Sequence, residues 1–398
     1  MGAAKAWMMA MEERGYGESD DHVCADCVSD AFLAEWIERN AEAAVCSFCG
    51  ARADKPIAAS FEDFSGVVLR GLYFDWNEPT DEGISYISRE GGWQASLSTT
   101  QDVLYDAGIS DRDDVLEALD AMIDNEAWVE RELYHGTDSE RLTWAWESFK
   151  DYTKHYARYF FLQAEEKDHD GLTPAFVLGS VAEMIPKLAG DGLLLVIGTS
   201  TEIVRIRVDG VPHDKAGAIG TPSAEHATQS NRMSPAGIPM FYGALDQETA
   251  RAETFDPALH AGLTLSVGTF IPLRELTLLN LADLPPVPSV FDEDRQKFIH
   301  SLRFLDAFAA DMSQPIARDG REHIDYVPTQ IVTEFFRRIF RLPDGSAIDG
   351  IAYGSAKKAG GKAVVLFCEN GQCVDLDDAG EAGAMVQLVA VDHQVQHV

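Results

Sequence analysis

Four cysteines near the amino end have the spacing of a metal site. They lie at Cys24, Cys27, Cys46 and Cys49, so that 18 residues separate two CxxC pairs. Each pair places two sulfur atoms on one side of a tight turn, and four thiolates are a common ligand set for structural zinc. Gly50, directly after the second pair, suits the backbone angles of such a turn. The spacing predicts a structural Zn²⁺ site, with a disulfide or redox pair as the alternative.

A second group of reactive side chains lies in the stretch NRMSPAGIPMFYGALDQETARAE, from Asn231 to Glu253. Arg232 is set among turn-forming residues, and a short apolar strand then leads to Tyr242. Asp246 is placed to cap a helix that carries Glu253 two turns further on. These residues are expected to form one wall of a ligand-binding cleft, although a surface position is the ordinary alternative for a glutamate on such a helix.

Two further arginines lie on a strand, in the segment EIVRIRV. The alternation of a strand places Val204 and Ile206 on one face and Arg205 and Arg207 on the other. Guanidinium groups form bidentate, charge-assisted hydrogen bonds with phosphate oxygens, so the pair could clamp a pyrophosphate. Taken alone, the pattern favours a solvated strand edge over such a clamp.

The elements that must position these residues change in type along the chain. From about Phe61 to Lys187 apolar residues recur at helical spacing, and from Leu193 short apolar strands dominate, with two amphipathic helices near Glu293–Phe308 and Thr329–Phe340. Short strands with few helices between them predict an α+β fold with a mixed, twisted carboxy-terminal sheet. No GxGxxG motif follows a strand, so a Rossmann fold is not expected. The predicted domains are a zinc module over 1–58, a helical domain over 59–187 and a sheet domain over 188–398.

The charge of the chain restricts its partners. It has 398 residues with 66 acidic and 32 basic side chains, a formal net charge of −34. A nucleic-acid-binding protein usually presents a basic face, so no nucleic-acid partner is expected. The longest apolar runs are far too short to span a membrane, and the first residues lack the pattern of a signal peptide, so a cytoplasmic protein without a membrane partner is expected.

The motifs together resemble a known family. Arg232, the SPAG turn, Tyr242 and Glu253, followed by Ser355 in DGIAYGSAKKAGGKAVVLF, are similar to the core of the RES domain, named for its Arg, Glu and Ser. Most members have Gly-Gly-Arg-Trp-Asn where this chain reads SNRMSP. The resemblance covers roughly 192–398.

Two other segments extend the resemblance. EIVRIRV, with Arg205, resembles the first strand of the family, and YVPTQIVTEFFR, with Gln330, resembles the helix before the serine. The two CxxC pairs and the helices after them resemble the HEPN/RES amino-terminal domain. The middle of the chain is interpreted as a scaffold or sensor and not as a nuclease.

The resemblance implies a sheet similar to the ADP-ribosyltransferase fold and an enzyme that degrades NAD⁺, either by hydrolysis or by phosphorolysis. It assigns catalytic roles to Arg232, Glu253 and Ser355 and NAD⁺-binding roles to Arg205, Tyr242 and Gln330. Such enzymes act as toxins or defence effectors, and a small antitoxin or immunity protein is an expected partner.

Two other functions fit the same residues. One is transfer of ADP-ribose to a macromolecule, and the other is an NAD-binding regulatory module without turnover. The sequence leaves open whether water or phosphate is the nucleophile and whether the chain forms a homo-oligomer.

Overall fold

The computed structural model describes residues 14–159, 173–314, 320–378 and 382–395. By backbone contacts the chain divides into two units, one of Met1–Arg141 with Val287–Ser301 and the other of Leu142–Pro286 with Leu302–Val398. Residues 142–187 therefore belong to the second unit. The three-domain division inferred from the sequence stays a prediction.

The first unit is built from short helices and very short strands. In chain order they are β1 (His22–Cys24), α1 (Ala31–Asn40), β2 (Ala58–Ser60), α2 (Phe61–Leu72), β3 (Trp76–Asn77), β4 (Tyr86–Ile87), β5 (Gly92–Trp93), α3 (Thr100–Asp106), α4 (Asp113–Met122) and β6 (Val129–Glu130). Asp30 and Ser60 cap α1 and α2 by accepting backbone N–H groups of the first turn. Helix α5 (Asp138–His155) continues from this unit into the second.

The core of the first unit combines aliphatic side chains with a few large aromatic ones. Phe61, Phe64 and Trp128 are almost fully buried within it. The chain returns to this core at Phe291, whose ring lies so close to Gly71 that a Cβ there would be 2.1 Å from it. Glycine at this position is therefore what lets 287–301 pack on α2.

The second unit contains a nine-stranded mixed sheet with helices around it. Its elements are α6 (Pro174–Leu188), β7 (Leu194–Ile197), β8 (Ile203–Asp209), α7 (Ala216–Ile219), β9 (Phe241–Ala244), α8 (Gln247–Thr254), α9 (Pro257–His260), β10 (Thr264–Pro272), β11 (Leu276–Leu281), α10 (Ile299–Ser313, which begins in the first unit), α11 (Glu322–Asp325), α12 (Val327–Arg338), β12 (Gly350–Gly354), β13 (Lys362–Leu366), β14 (Cys373–Val374) and β15 (Val386–Val395).

The strand order in the sheet is β14-β15-β10-β8-β9-β13-β12-β11-β7. The pairs β11/β12 and β14/β15 are parallel and the other neighbours are antiparallel. The predicted α+β class with a mixed carboxy-terminal sheet is confirmed. Of the helices that the structure describes, none has the length and apolar character to cross a membrane.

The sheet opens between β8 and β9. These strands share one register pair, Val204 with Ala244, whereas β9 pairs over four residues with β13. Gly243 makes the close approach possible, since a Cβ there would lie 2.7 Å from Ile203. As predicted from the alternation, Val204 and Ile206 are buried in an apolar cluster. Arg205 and Arg207 point away from that cluster, towards α7.

Candidate active-site cleft

A cleft of about 900 Å³ lies in the second unit where β8 and β9 diverge. This volume is within the range of about 300–1,000 Å³ that is common for small-molecule sites. Among the described residues that line it, the Lys and Arg side chains are Arg205, Arg207, Arg232 and Lys357, and Glu253 is the one acidic group. In a chain with a net charge of −34, the cleft is thus locally positive and favours an anionic ligand.

Arg205 joins two walls of the cleft. Its Nε donates to the carbonyl of Ile219 at 2.7 Å, and its Nη1 donates to the carbonyl of Tyr242 at 2.5 Å. The guanidinium carbon lies 5.4 Å from the ring centroid of Phe241, and burial lowers the pKa of Arg205. Within the described part of the chain these bonds occupy Nε and Nη1 and leave Nη2 to a ligand.

Arg207 has a different environment from Arg205. Its Nη1 donates to the carbonyl of Ala218 at 2.6 Å, its Nη2 pairs with Asp209 at 3.0 Å, and its side chain is 43% exposed. Both arginines therefore hold α7, and only Arg205 lies mainly out of solvent. The geometry makes Arg205 the better candidate of the two to meet a buried phosphate.

The loop that carries Arg232 is held from behind by α12. Thr329 donates its hydroxyl hydrogen to the carbonyl of Arg232, and Gln330 donates to Ser230 Oγ and to the carbonyl of Asn231, both at 2.8 Å. The Arg232 side chain donates to the carbonyl of Met312 at 3.1 Å. Gln330 is 7% exposed and is not among the described lining residues, so it supports the loop and does not face the cleft.

Tyr242 brings an aromatic ring to the cleft. Its hydroxyl lies 2.9 Å from Ser234 Oγ, in the same loop as Arg232. Burial raises the pKa of Tyr242 to about 12, so the group is a neutral phenol at neutral pH. Tyr353 on β12 also lines the cleft, and burial followed by the charge of Glu253 raises its pKa.

Glu253 is fixed by a residue that is distant in sequence. Ser355 Oγ donates to Glu253 Oε1 at 2.5 Å, across a separation of 102 residues. The backbone N–H groups of Lys357 and Lys358 donate to the same Ser355 oxygen at 3.2 and 3.1 Å. The turn after β12 thus orients the serine hydroxyl, and the serine hydroxyl orients the carboxylate.

Helix α8 and the turn after β12 are packed closely enough to keep this pair together. Asp246 caps α8 by accepting the N–H of Thr249 at 2.8 Å and also pairs with Lys358 at 2.9 Å. A Cβ on Gly361 would lie 2.5 Å from Thr249 Oγ1, so the turn needs glycine there.

The structure brings Arg205, Arg232, Tyr242 and Glu253 to one cleft, with Ser355 bonded to Glu253. Their catalytic and binding roles stay predictions. Among the lining residues that sequence reasoning did not name are Tyr353 and Lys357. They lie two positions before and after Ser355, and the alternation of a strand could have placed Tyr353 on the face of that serine.

The four amino-terminal cysteines form a separate site in the first unit. Their Sγ atoms all lie within 4.8 Å of one another, with separations of 3.5 Å between Cys24 and Cys49 and 3.7 Å for the pairs Cys24/Cys27 and Cys27/Cys46. A tetrahedral zinc ion with bonds of about 2.3 Å sets its sulfur ligands about 3.8 Å apart. The thiols are free, so the cluster fits a metal ion such as zinc.

Burial adds a reason for a cation at this cluster. Cys24, Cys27 and Cys46 are at most 3% exposed, and burial raises the pKa of Cys24 to about 11. Buried thiolates need a positive partner, and a metal ion supplies it.

Two family models match the chain. Residues 39–167 match HEPN/RES N-terminal domain 1, and residues 203–385 match the RES domain. The second match includes all the cleft residues from Arg205 to Ser355. No curated protein and no solved structure gave a significant match.

Proposed function

The chain is a RES domain protein with a HEPN/RES-type amino-terminal domain, and we propose that it cleaves the bond between nicotinamide and ribose in NAD⁺. The observation that carries this proposal is the Glu253 carboxylate, held by Ser355 at 2.5 Å in a cleft where the other charged residues of the described lining are basic. The RES family indicates action on NAD⁺ at a coarse level, and the arrangement of this cleft supports the specific bond.

The proposed chemistry depends on charge that develops during cleavage. As nicotinamide leaves, C1 of the ribose approaches an oxocarbenium ion and becomes positive. A fixed carboxylate beside it stabilises that charge, as in glycosidases. Ser355 holds Glu253 Oε1 in place, so little reorganisation is needed when the bond breaks. Water or phosphate then attacks the ribose from the open cleft.

Binding of the dinucleotide is assigned to the basic residues. Arg232 and Arg205 neutralise the pyrophosphate with charge-assisted hydrogen bonds. The ring of Tyr242 offers an aromatic face to nicotinamide. Because the rest of the chain is strongly acidic, these arginines make the cleft the favoured place for the anion.

Two further assignments belong to the proposal. The ion held by the four cysteines is zinc, and its role is structural, because four protein ligands leave no open position for catalysis. The biological role is that of a toxin or defence effector that depletes NAD⁺, with a small antitoxin or immunity protein as partner.

The test is nicotinamide release from NAD⁺ by the full chain, with and without inorganic phosphate. Glu253→Gln keeps the size of the side chain and removes its charge, so we expect the rate to fall by about 10²–10³-fold. Glu248→Gln is the matched control, because Glu248 lies on the same helix with a side chain that is 85% exposed. We expect that control to retain most of the activity.

The outcomes separate the alternative functions. An unchanged rate in Glu253→Gln would overturn the proposed role of this carboxylate. Release that requires an added protein acceptor would indicate transfer of ADP-ribose. Binding of NAD⁺ without release, in the unmodified chain, would indicate a regulatory module.

A further inference from the structure

Two buried cysteines lie behind one wall of the cleft and have no part in the proposed chemistry. Cys368 follows β13 and Cys373 begins β14, and they are 0% and 5% exposed. Their Sγ atoms are 3.5 Å apart, and both thiols are free. Their spacing in sequence gives no metal motif, and the turn of Asn370–Gln372 is what brings them together.

The segment 216–222, which we call the cleft wall, rests directly on this pair. The N–H of Thr221 donates to Cys373 Sγ at 3.4 Å, and the Thr221 hydroxyl donates to the carbonyl of Cys368 at 2.9 Å. A Cβ on Gly220 would be 2.9 Å from Cys373 Sγ. No spare space therefore separates the thiol from the backbone of the cleft wall.

The opposite side of the cleft wall holds the ligand-binding arginine. Arg205 donates to the carbonyl of Ile219, so its position depends on where that carbonyl lies. Asn370, between the two cysteines, donates to the carbonyls of Gly217 and Thr221 at 2.9 and 2.6 Å. A change in the turn that carries the cysteines is thereby transmitted to Arg205.

We propose that Cys368 and Cys373 form a reversible disulfide when the protein meets a peroxide, and that this disulfide displaces the cleft wall and weakens the binding of NAD⁺. The effect on NAD⁺ rests on the function proposed above. The formation of the disulfide and the displacement of the cleft wall do not.

The chemistry balances with peroxide as the two-electron oxidant. Cys373 attacks the peroxide oxygen, and one water molecule and a sulfenic acid result. Cys368 then attacks the sulfenic sulfur and a second water molecule leaves, so that two thiols and one peroxide give one disulfide and two waters. Hydrogen bonds from Cys368 and from Thr221 lower the pKa of Cys373, against the effect of burial, which favours Cys373 as the attacking thiolate.

Formation of the bond requires movement. A disulfide holds its sulfur atoms about 2.05 Å apart, whereas the two Sγ atoms are now 3.5 Å apart. Cys373 must turn towards Cys368, which takes its sulfur away from Thr221 N. The cleft wall loses that bond and part of its packing at Gly220. Reduction restores both.

The experiment uses the full chain, treated with hydrogen peroxide and then quenched. Alkylation followed by peptide mass analysis, with and without prior reduction, reports the disulfide. Hydrogen exchange of the amides in 216–222 reports the cleft wall, and the KM for NAD⁺ reports binding. We expect a peptide that is protected from alkylation, faster exchange in 216–222 and a KM raised about tenfold, the loss of roughly one charge-assisted hydrogen bond. A dithiol reductant should reverse all three.

Cys373→Ser is the control, because it removes the thiol that peroxide attacks and keeps Cys368 and the four amino-terminal cysteines. We expect peroxide to leave its KM and its exchange at their untreated values. Three results would overturn the proposal: a pair that stays open to alkylation, a disulfide that leaves exchange in 216–222 unchanged, or equal sensitivity in Cys373→Ser. If the untreated chain releases no nicotinamide, the proposed function fails, and the alkylation and exchange results still decide the fate of the disulfide.

Discussion

The four-cysteine cluster and the cleft are assembled in opposite ways. The cluster takes all its ligands from one short stretch between Cys24 and Cys49, and two tight turns are enough to form it. The cleft takes its residues from Arg205 on β8 to Ser355 after β12, and only the pairing of the sheet brings them together. A local site survives changes elsewhere in the chain, whereas an assembled site depends on residues that never contact its ligand.

We expect the largest loss of stability when one of the four clustered cysteines is replaced. Cys46→Ala leaves three thiols, so the metal should be lost and the first unit should lose several kcal/mol of stability, because binding of a structural metal is folding free energy. Metal content and thermal unfolding measure this. Asp26→Asn, at an exposed position beside Cys27, is the control and should keep the metal. A Cys46→Ala protein with full metal content and an unchanged unfolding temperature would contradict the structural role.

The sequence predicted the cluster fully, since its geometry follows from spacing. It also named Arg232, Glu253 and Ser355, but through the resemblance to a family and not through any rule of spacing. It did not show that Ser355 orients Glu253 through a hydroxyl held by the next turn. That geometry follows from the pairing of β12 with β13 and from the packing of Gly361 on Thr249, which no local pattern encodes.

We expect an intermediate loss of stability, together with weaker substrate binding, when Gln330 is replaced, because this residue supports the loop that carries Arg232. Gln330→Met keeps the length of the side chain and removes both hydrogen bonds to the Arg232 loop. The carbonyl of Asn231 loses a partner, so we expect a loss of about 1–3 kcal/mol in the free energy of unfolding and a KM for NAD⁺ raised severalfold. Chemical denaturation and steady-state kinetics measure the two effects.

The matched control for this change is Gln314→Met at an exposed position of the same unit. It should leave both quantities nearly unchanged. If Gln330→Met lowered kcat strongly at an unaltered KM, Gln330 would act on the chemical step, and the supporting role inferred from its position would be wrong.

We expect the smallest loss of stability when Asp246, the N-cap of α8, is replaced. Like the cysteine cluster, this cap is formed by residues close in sequence, but the helix that it caps carries Glu253. Asp246→Ala removes the acceptor for the N–H of Thr249, at a cost of about 1 kcal/mol. Asp246→Asn keeps a capping oxygen and should cost less. Thermal unfolding at neutral pH compares the two, and a larger loss in Asp246→Asn than in Asp246→Ala would contradict the capping role.

Acid titration tests the charge of the same residue. Hydrogen bonds from Thr249 and Lys358 lower the pKa of Asp246 from 3.8 to about 2. The folded-state pKa is depressed, so this contribution to stability is present above pH 3.8 and is lost as the pH falls towards 2. Asp246→Asn should show a weaker loss of stability in that interval, and an identical slope would contradict the ionised cap.

Two features of the cleft and its surroundings could not be predicted from the sequence: the proximity of Cys368 to Cys373, and the different burial of Arg205 and Arg207. Cys368 and Cys373 look like ordinary packing residues in the chain, and only the turn between β13 and β14 brings their sulfur atoms to 3.5 Å. The arginines on β8 face the same way, as the alternation predicted, yet their environments differ. Arg205 is covered by α7 and β9, and Arg207 lies further out. Burial of this kind depends on elements that are far apart in sequence.

The pairing of β9 with β13 also sets the order in which the site can be made on the ribosome. Tyr242 lies opposite Val365 in that pair, so the strand that carries the tyrosine emerges more than a hundred residues before its main partner. Ser355 likewise emerges 102 residues after Glu253. Over these 102 residues of synthesis the nascent chain carries Arg205, Arg232 and Glu253 without the turn that holds the carboxylate in place. Residue 366 must therefore leave the ribosome before β13 can complete its pairing with β9 and the cleft can take its final shape.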